Sequence, residues 1–124
     1  MALNLARLGG LRFDERLGAG TLGRAGEDIA LIDRLLAAGA RIRYEPEAIV
    51  RHERQEPERR RASRYGYGHG VGAMIGLGDA TAAVHLVRWL ALRARLAVTR
   101  RAPCEELRVL AGTADGLLYG LRRR

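Results

Sequence analysis

The sequence predicts a small α/β fold that passes into helices toward its carboxy-terminal end. Three observations predict it. Apolar residues recur at helical spacing over residues 27–38, apolar and polar residues alternate over residues 40–52, and helical spacing returns over residues 80–101. A length of 124 residues suits one domain with a modest core. Hydrophobic residues at 48% and charged residues at 29% fit a soluble globular chain, and with aromatic residues at only 5% the core must rest on leucine and alanine.

Residues 4–26 read as loop, with Gly9, Gly10, Gly18, Gly20, Gly23 and Gly26 supplying permissive backbone and Phe13 the sole aromatic anchor. From Glu27 to Ala38 the pattern is helical. Ile29, Ile32 and Leu36 share a face with Leu35 beside them, Glu27 and Asp28 suit the positive end of the helix dipole, and Gly39 is placed as the stop. In "ARIRYEPEAIVRH", Ile42 and Tyr44 point one way and Arg41, Arg43 and Glu45 the other; Pro46 interrupts, then Ala48, Val50 and His52 resume the period. Two short strands are expected there. Residues 51–64, with six arginines against three glutamates, read as a solvated loop leading into a helix.

"YGYGHGVGAMIGLG" is rich in glycine, but no frame of it fits G-x-G-x-x-G, no strand precedes it and no G-K-[ST] follows, so it is not read as a phosphate loop. Gly18, Gly20 and Gly23 do fit that spacing, after a loop instead of a strand, and are set aside on that ground. Gly72 and Gly76, four apart, suit close approach of two helices. Over residues 80–101 Leu86, Trp89, Leu92 and Leu96 form one face on which Arg93 intrudes, and a last helix follows Pro103 toward the "RRR" end.

The net charge is +8 and all 22 basic residues are arginine, a balance that suits phosphate-bearing partners without choosing among nucleic acid, anionic lipid and nucleotide diphosphates. One cysteine, Cys104, excludes an internal disulfide and points to a reducing, cytoplasmic setting. No signal peptide is evident, and the longest charge-free run, residues 65–78, falls short of the roughly 20 apolar residues a membrane span needs.

Most chemistries find little support. Ser63, the sole serine, has no G-x-S-x-G elbow around it, Cys104 has no histidine nearby in sequence, and His52, His69 and His85 are too evenly spread for a zinc motif. His69 and His85 read as polar side chains in a loop or at a helix edge. Glu27 and Asp28 differ by context: a carboxylate opening a helix behind flexible glycine backbone can stay ionised and act as a general base.

Three blocks in this order, "FDERLGAGT", "GEDIALIDRLLAAGARIRYEPEAIVRH" and "RYGYGHGVGA", resemble the second half of the catalytic domain of family 2 inverting glycosyltransferases of the GT-A type. The resemblance covers residues 4–73. It implies a partial GT-A, Rossmann-like fold that lacks the amino-terminal nucleotide-binding half, with residues 1–73 as the acceptor-side part and residues 74–124 as a helical tail. Asp28 would be the catalytic base with Glu27 supporting it, Phe13 and Asp14 would flank the acceptor site, and His52 would help bind the metal diphosphate. The implied partners are a nucleotide-sugar donor and an acceptor glycan or lipid-linked acceptor, with a divalent cation, Mg or Mn, in the complete enzyme. Two departures stand out: Ala30 replaces an acidic residue that many relatives carry, and no D-x-D metal motif occurs in these residues. The resemblance therefore implies a truncated or split transferase, inactive alone.

The rival reading is a cationic module without catalysis that binds a partner or lies on anionic membrane, cytoplasmic and peripheral on the inner face. The two are compatible where the acceptor is lipid-linked. Nucleic acid is disfavoured, since apart from Tyr65 and Tyr67 no aromatic residues interleave with the basic ones.

Overall fold

The computed structural model describes residues 9–51, 56–78, 82–99 and 103–124. They form four helices: α1 (Glu27–Ala37), α2 (Pro57–Leu77), α3 (Ala82–Thr99) and α4 (Pro103–Leu121), with no strand among the described residues. The expected α/β, partial GT-A fold is overturned by this all-helical architecture. The physical reason lies in residues 40–51. Their alternation would suit a strand, but Ile42, Tyr44, Ile49 and Val50 are all exposed, Tyr44 at 86%. The backbone bonds formed within this stretch are turn bonds, Ala48 N–H to Glu45 O at 3.2 Å and Ile49 N–H to Glu47 O at 2.9 Å. A strand exists only against a neighbour, and among the described residues none lies alongside.

α1 forms where its pattern places it, but with a different face inward: Ile29 and Leu36, expected on its apolar face, are exposed. Gly26 precedes it with a left-handed φ of 96°, Glu27 and Asp28 fill its first turn, and Leu31 and Leu35 are buried. It ends in a Schellman motif: Gly39, at φ 79°, donates its N–H to Leu36 O, and Ala40 donates to Leu35 O, each at 2.9 Å.

The centre of the molecule is the contact between α2 and α4, by far the largest between helices. α2 starts on Pro57, whose missing N–H costs nothing in the first turn, with Glu58 beside it. Its glycines then remove side-chain bulk from one face. Gly68, Gly72 and Gly76 lie on Val109, Thr113 and Leu117 of α4, while Gly112, Gly116 and Gly120 lie on Tyr65, His69 and Ala73 of α2. This register runs in the same direction on both helices, so α2 and α4 are parallel. A Cβ at Gly72 would stand 2.7 Å from Leu117 N, and one at Gly120 would stand 2.8 Å from Gly76 Cα. The close approach expected at Gly72 and Gly76 thus extends along both helices.

α3 returns antiparallel to α4. Trp89 Nε1–H donates to Thr113 Oγ1 at 3.0 Å, and Arg93 Nη1 meets Glu106 Oε2 at 3.2 Å. Leu86, Trp89 and Leu96 are half-buried as expected, whereas Leu92 is exposed and Arg93 faces inward in its place. No helix among the described residues is long and apolar enough to cross a membrane.

Candidate functional site

The loop that leads into α1 is fastened at both ends. Asp14 accepts from Arg16 three times, from its backbone N–H at 3.0 Å, Nε at 2.9 Å and Nη2 at 2.8 Å. The Arg16 side-chain bond, acting against partial burial, holds the Asp14 carboxyl below its ordinary range and raises Arg16 in turn. Arg16 then ties the loop to the end of α4: its Nη1 donates to Arg123 O at 3.1 Å and its carbonyl accepts from Tyr119 Oη at 3.3 Å. Further on, Thr21 Oγ1 donates to Gly18 O at 2.9 Å and accepts from Gly23 N–H at 3.1 Å. Ala25 and Gly26 rest on Gly70 of α2, which seats the start of α1 against the bundle.

Within this frame the residues expected at the site take separate positions. Glu27 turns its side chain toward Gly18, where an added Cβ would stand 3.2 Å from its Cδ. Asp28 is exposed, and its Oδ1 accepts from Ile29 N–H at 2.8 Å, leaving the rest of the carboxylate toward solvent. Phe13 is half exposed, and Asp14 is engaged by Arg16. His52, expected as a metal ligand, lies outside the described residues. Among the described residues no group of three or more His, Cys, Asp or Glu converges to hold a metal ion.

A cleft that the sequence reading missed lies between this loop, α2 and the end of α4. It has a volume of about 760 Å³ and is walled by Arg24, Tyr65, His69, Asp115, Tyr119 and the arginines that follow α4. A second cavity of about 580 Å³, bounded by Ala19, Gly20, Thr21 and Leu22, shares Arg24, His69 and Tyr119 with it. His69, read from sequence as a polar residue in a loop or at a helix edge, is only 8% exposed, and its Nδ1 has no hydrogen-bond partner among the described residues. It sits between the rings of Tyr65 and Tyr119, at centroid distances of 6.3 and 5.7 Å. Tyr65 Oη donates a short bond to Asp115 Oδ2, and this bond, with burial, raises the tyrosine above its ordinary value. Arg24, with a left-handed φ of 66°, stacks over Tyr65 at 5.5 Å, and Arg123 over Tyr119 at 5.1 Å. The signal for this cleft was present as two four-residue spacings, Tyr65 to His69 and Asp115 to Tyr119, each of which sets two polar-tipped side chains on one helix face.

Set beside known proteins, the chain matches no family model, no curated protein and no solved structure.

Proposed function

We propose that this chain carries the acceptor side of an inverting glycosyl-transfer site, with Asp28 as general base and Glu27 supporting its position. The observation that carries the reading is the setting of Asp28: an exposed carboxylate in the first turn of α1, behind a left-handed Gly26 that is backed by α2. The order of the three sequence blocks adds to it, and the reading rests on α1 and its approach loop, without the sheet that the resemblance implied.

Asp28 takes the proton of an acceptor hydroxyl while that oxygen attacks the anomeric carbon of a nucleotide sugar. The bond from that carbon to the diphosphate oxygen breaks, and configuration inverts. No residue of this chain is assigned to the sugar donor. A divalent cation, when bound, would neutralise charge on the leaving diphosphate, and among the described residues no ligand set fits it.

The test uses the gene product as it occurs, tagged in its own cells and purified with whatever accompanies it, then given labelled nucleotide sugars and a lipid-linked acceptor fraction. Transfer with inversion that disappears in Asp28→Asn, with an unchanged unfolding transition, is the expected result. Transfer that survives Asp28→Asn, or an assembly with no transfer at all, overturns the proposal.

One observation favours a second reading, a cationic module on an anionic membrane surface. Val84, Val87, Ala91, Ala94 and Val98 follow one another along the outward side of α3, flanked by Arg88 and Arg95, and all are exposed. This is the pattern of an interfacial helix. Cosedimentation with anionic vesicles that Val87→Glu abolishes would support it, and sedimentation indifferent to anionic lipid would remove it.

A further inference from the structure

We propose that the cleft between the Arg24 loop, α2 and the end of α4 binds a phosphate ester. The proposal is independent of glycosyl transfer and does not involve Asp28. Three arginines face the cleft, Arg24, Arg122 and Arg123, and none has a carboxylate partner among the described residues. The single carboxylate in the wall, Asp115, is already occupied by the Tyr65 hydroxyl. The wall therefore presents an excess of positive charge that a multiply charged anion would balance, and guanidinium groups match phosphate oxygens in pairs.

His69 belongs to the same wall. It is more than nine-tenths buried, it lines both cavities, and its Nδ1 is without a partner among the described residues. The cleft is also larger than inorganic phosphate requires. Its volume lies in the range of small-molecule sites, and the adjoining cavity along residues 19–22 leaves room for the organic part of an ester. The rings of Tyr65 and Tyr119 hold Arg24 and Arg123 by stacking, so part of the ordering cost is met before the ligand arrives.

Two sources carry this chemistry, a soluble nucleoside diphosphate and a lipid phosphate headgroup. The experiment titrates the whole chain with pyrophosphate and with uridine diphosphate while following the His69 ring resonances, assigned through His69→Gln. In parallel, phosphatidylcholine vesicles are compared with and without phosphatidic acid. The expected result is saturable binding below about 1 mM that moves the His69 resonances and weakens about tenfold in Arg24→Asn and in Arg123→Gln. Arg24→Asn keeps a residue that accepts the left-handed backbone, and both sites are exposed, so the fold is retained; a matching unfolding transition confirms this. Arg59→Gln, on the exposed start of α2, leaves the affinity unchanged. Tighter binding of uridine diphosphate assigns the soluble source, whereas selective binding of phosphatidic acid vesicles, competed by pyrophosphate, assigns the lipid. Absence of saturable binding in every arm, or equal weakening by Arg59→Gln, overturns the proposal.

Discussion

Arg93 of α3 and Glu106 of α4 form an ion pair inside the bundle, Nη1 to Oε2 at 3.2 Å, with side chains 12% and 2% exposed. Arg93 also lies over the Trp89 ring at 4.0 Å, so one guanidinium joins a carboxylate to the apolar face of its own helix. Such a pair gains little net stability over apolar residues, but breaking one side strands the other. Replacing Glu106 by alanine is expected to lower stability by about 3–5 kcal/mol, while the double change Arg93→Met with Glu106→Leu is expected to recover most of that loss. Urea unfolding of the three proteins measures both, and a single variant as stable as the parent would show that the pair does not form.

Glycines of α2 divide into two kinds. Gly66 has nothing within 4 Å of an added Cβ, so Gly66→Ala should raise stability by about 0.5–1 kcal/mol through helix propensity. Gly72→Ala gains the same propensity but drives a methyl into the backbone of Leu117, and a net loss of about 1–3 kcal/mol is expected. Thermal denaturation of the two variants should shift in opposite directions. Equal shifts would contradict the parallel contact of α2 with α4.

At acid pH the Asp14 turn loosens. Its carboxyl sits below the ordinary value because Arg16 bonds the charged form, so its contribution is complete above the ordinary carboxylate range. It declines as pH falls below that range and is gone once pH passes the folded-state value. Asp14→Asn is expected to cost up to about 1 kcal/mol at neutral pH, with the difference from the parent closing in acid. A difference that persists at the lowest pH would mean that the carboxylate charge is not the cause.

Tyr65 responds at the opposite end of the scale. Its hydroxyl donates to Asp115, and its folded-state value is raised, so the stabilisation is complete below the ordinary tyrosine value of about 10 and is lost as pH rises through the folded-state value. Tyr65→Phe should cost about 0.5–1.5 kcal/mol at neutral pH. In a tyrosinate absorbance titration it should also remove a component that ionises above the ordinary range. A titration curve unchanged in that region would place the Tyr65 hydroxyl elsewhere.

Much of the fold was legible where it depends on neighbours in sequence. α1 could be read with both of its ends, because Glu27, Asp28 and Gly39 act within a turn of where they stand. α3 and α4 were legible as helices for the same reason. Features decided by distant partners were not. Arg93 looked like an intruder on an apolar stripe because Glu106, which draws it inward in place of Leu92, belongs to another helix. The start of α2 read as a solvated loop, yet Arg61 and Arg64 meet Glu105 of α4 at 3.5 and 3.3 Å. The alternating segment at 40–51 failed for the converse reason: a strand pattern specifies a face, and among the described residues no adjacent strand takes it. Of the candidate site, the position of Asp28 at a helix start was legible, while the cleft around His69 required the register of α2 on α4.

The parallel register of α2 and α4 also bears on how the chain acquires its shape. Gly66, Gly68, Gly70, Gly72 and Gly76 make α2 a poor helix by itself, and the surface that compensates for them is supplied by residues some forty positions later. A nascent chain that has emerged only through α3 therefore lacks the main surface against which α2 packs. The order of synthesis makes α4 the element that completes α2, and with it the wall on which the loop before Asp28 comes to rest.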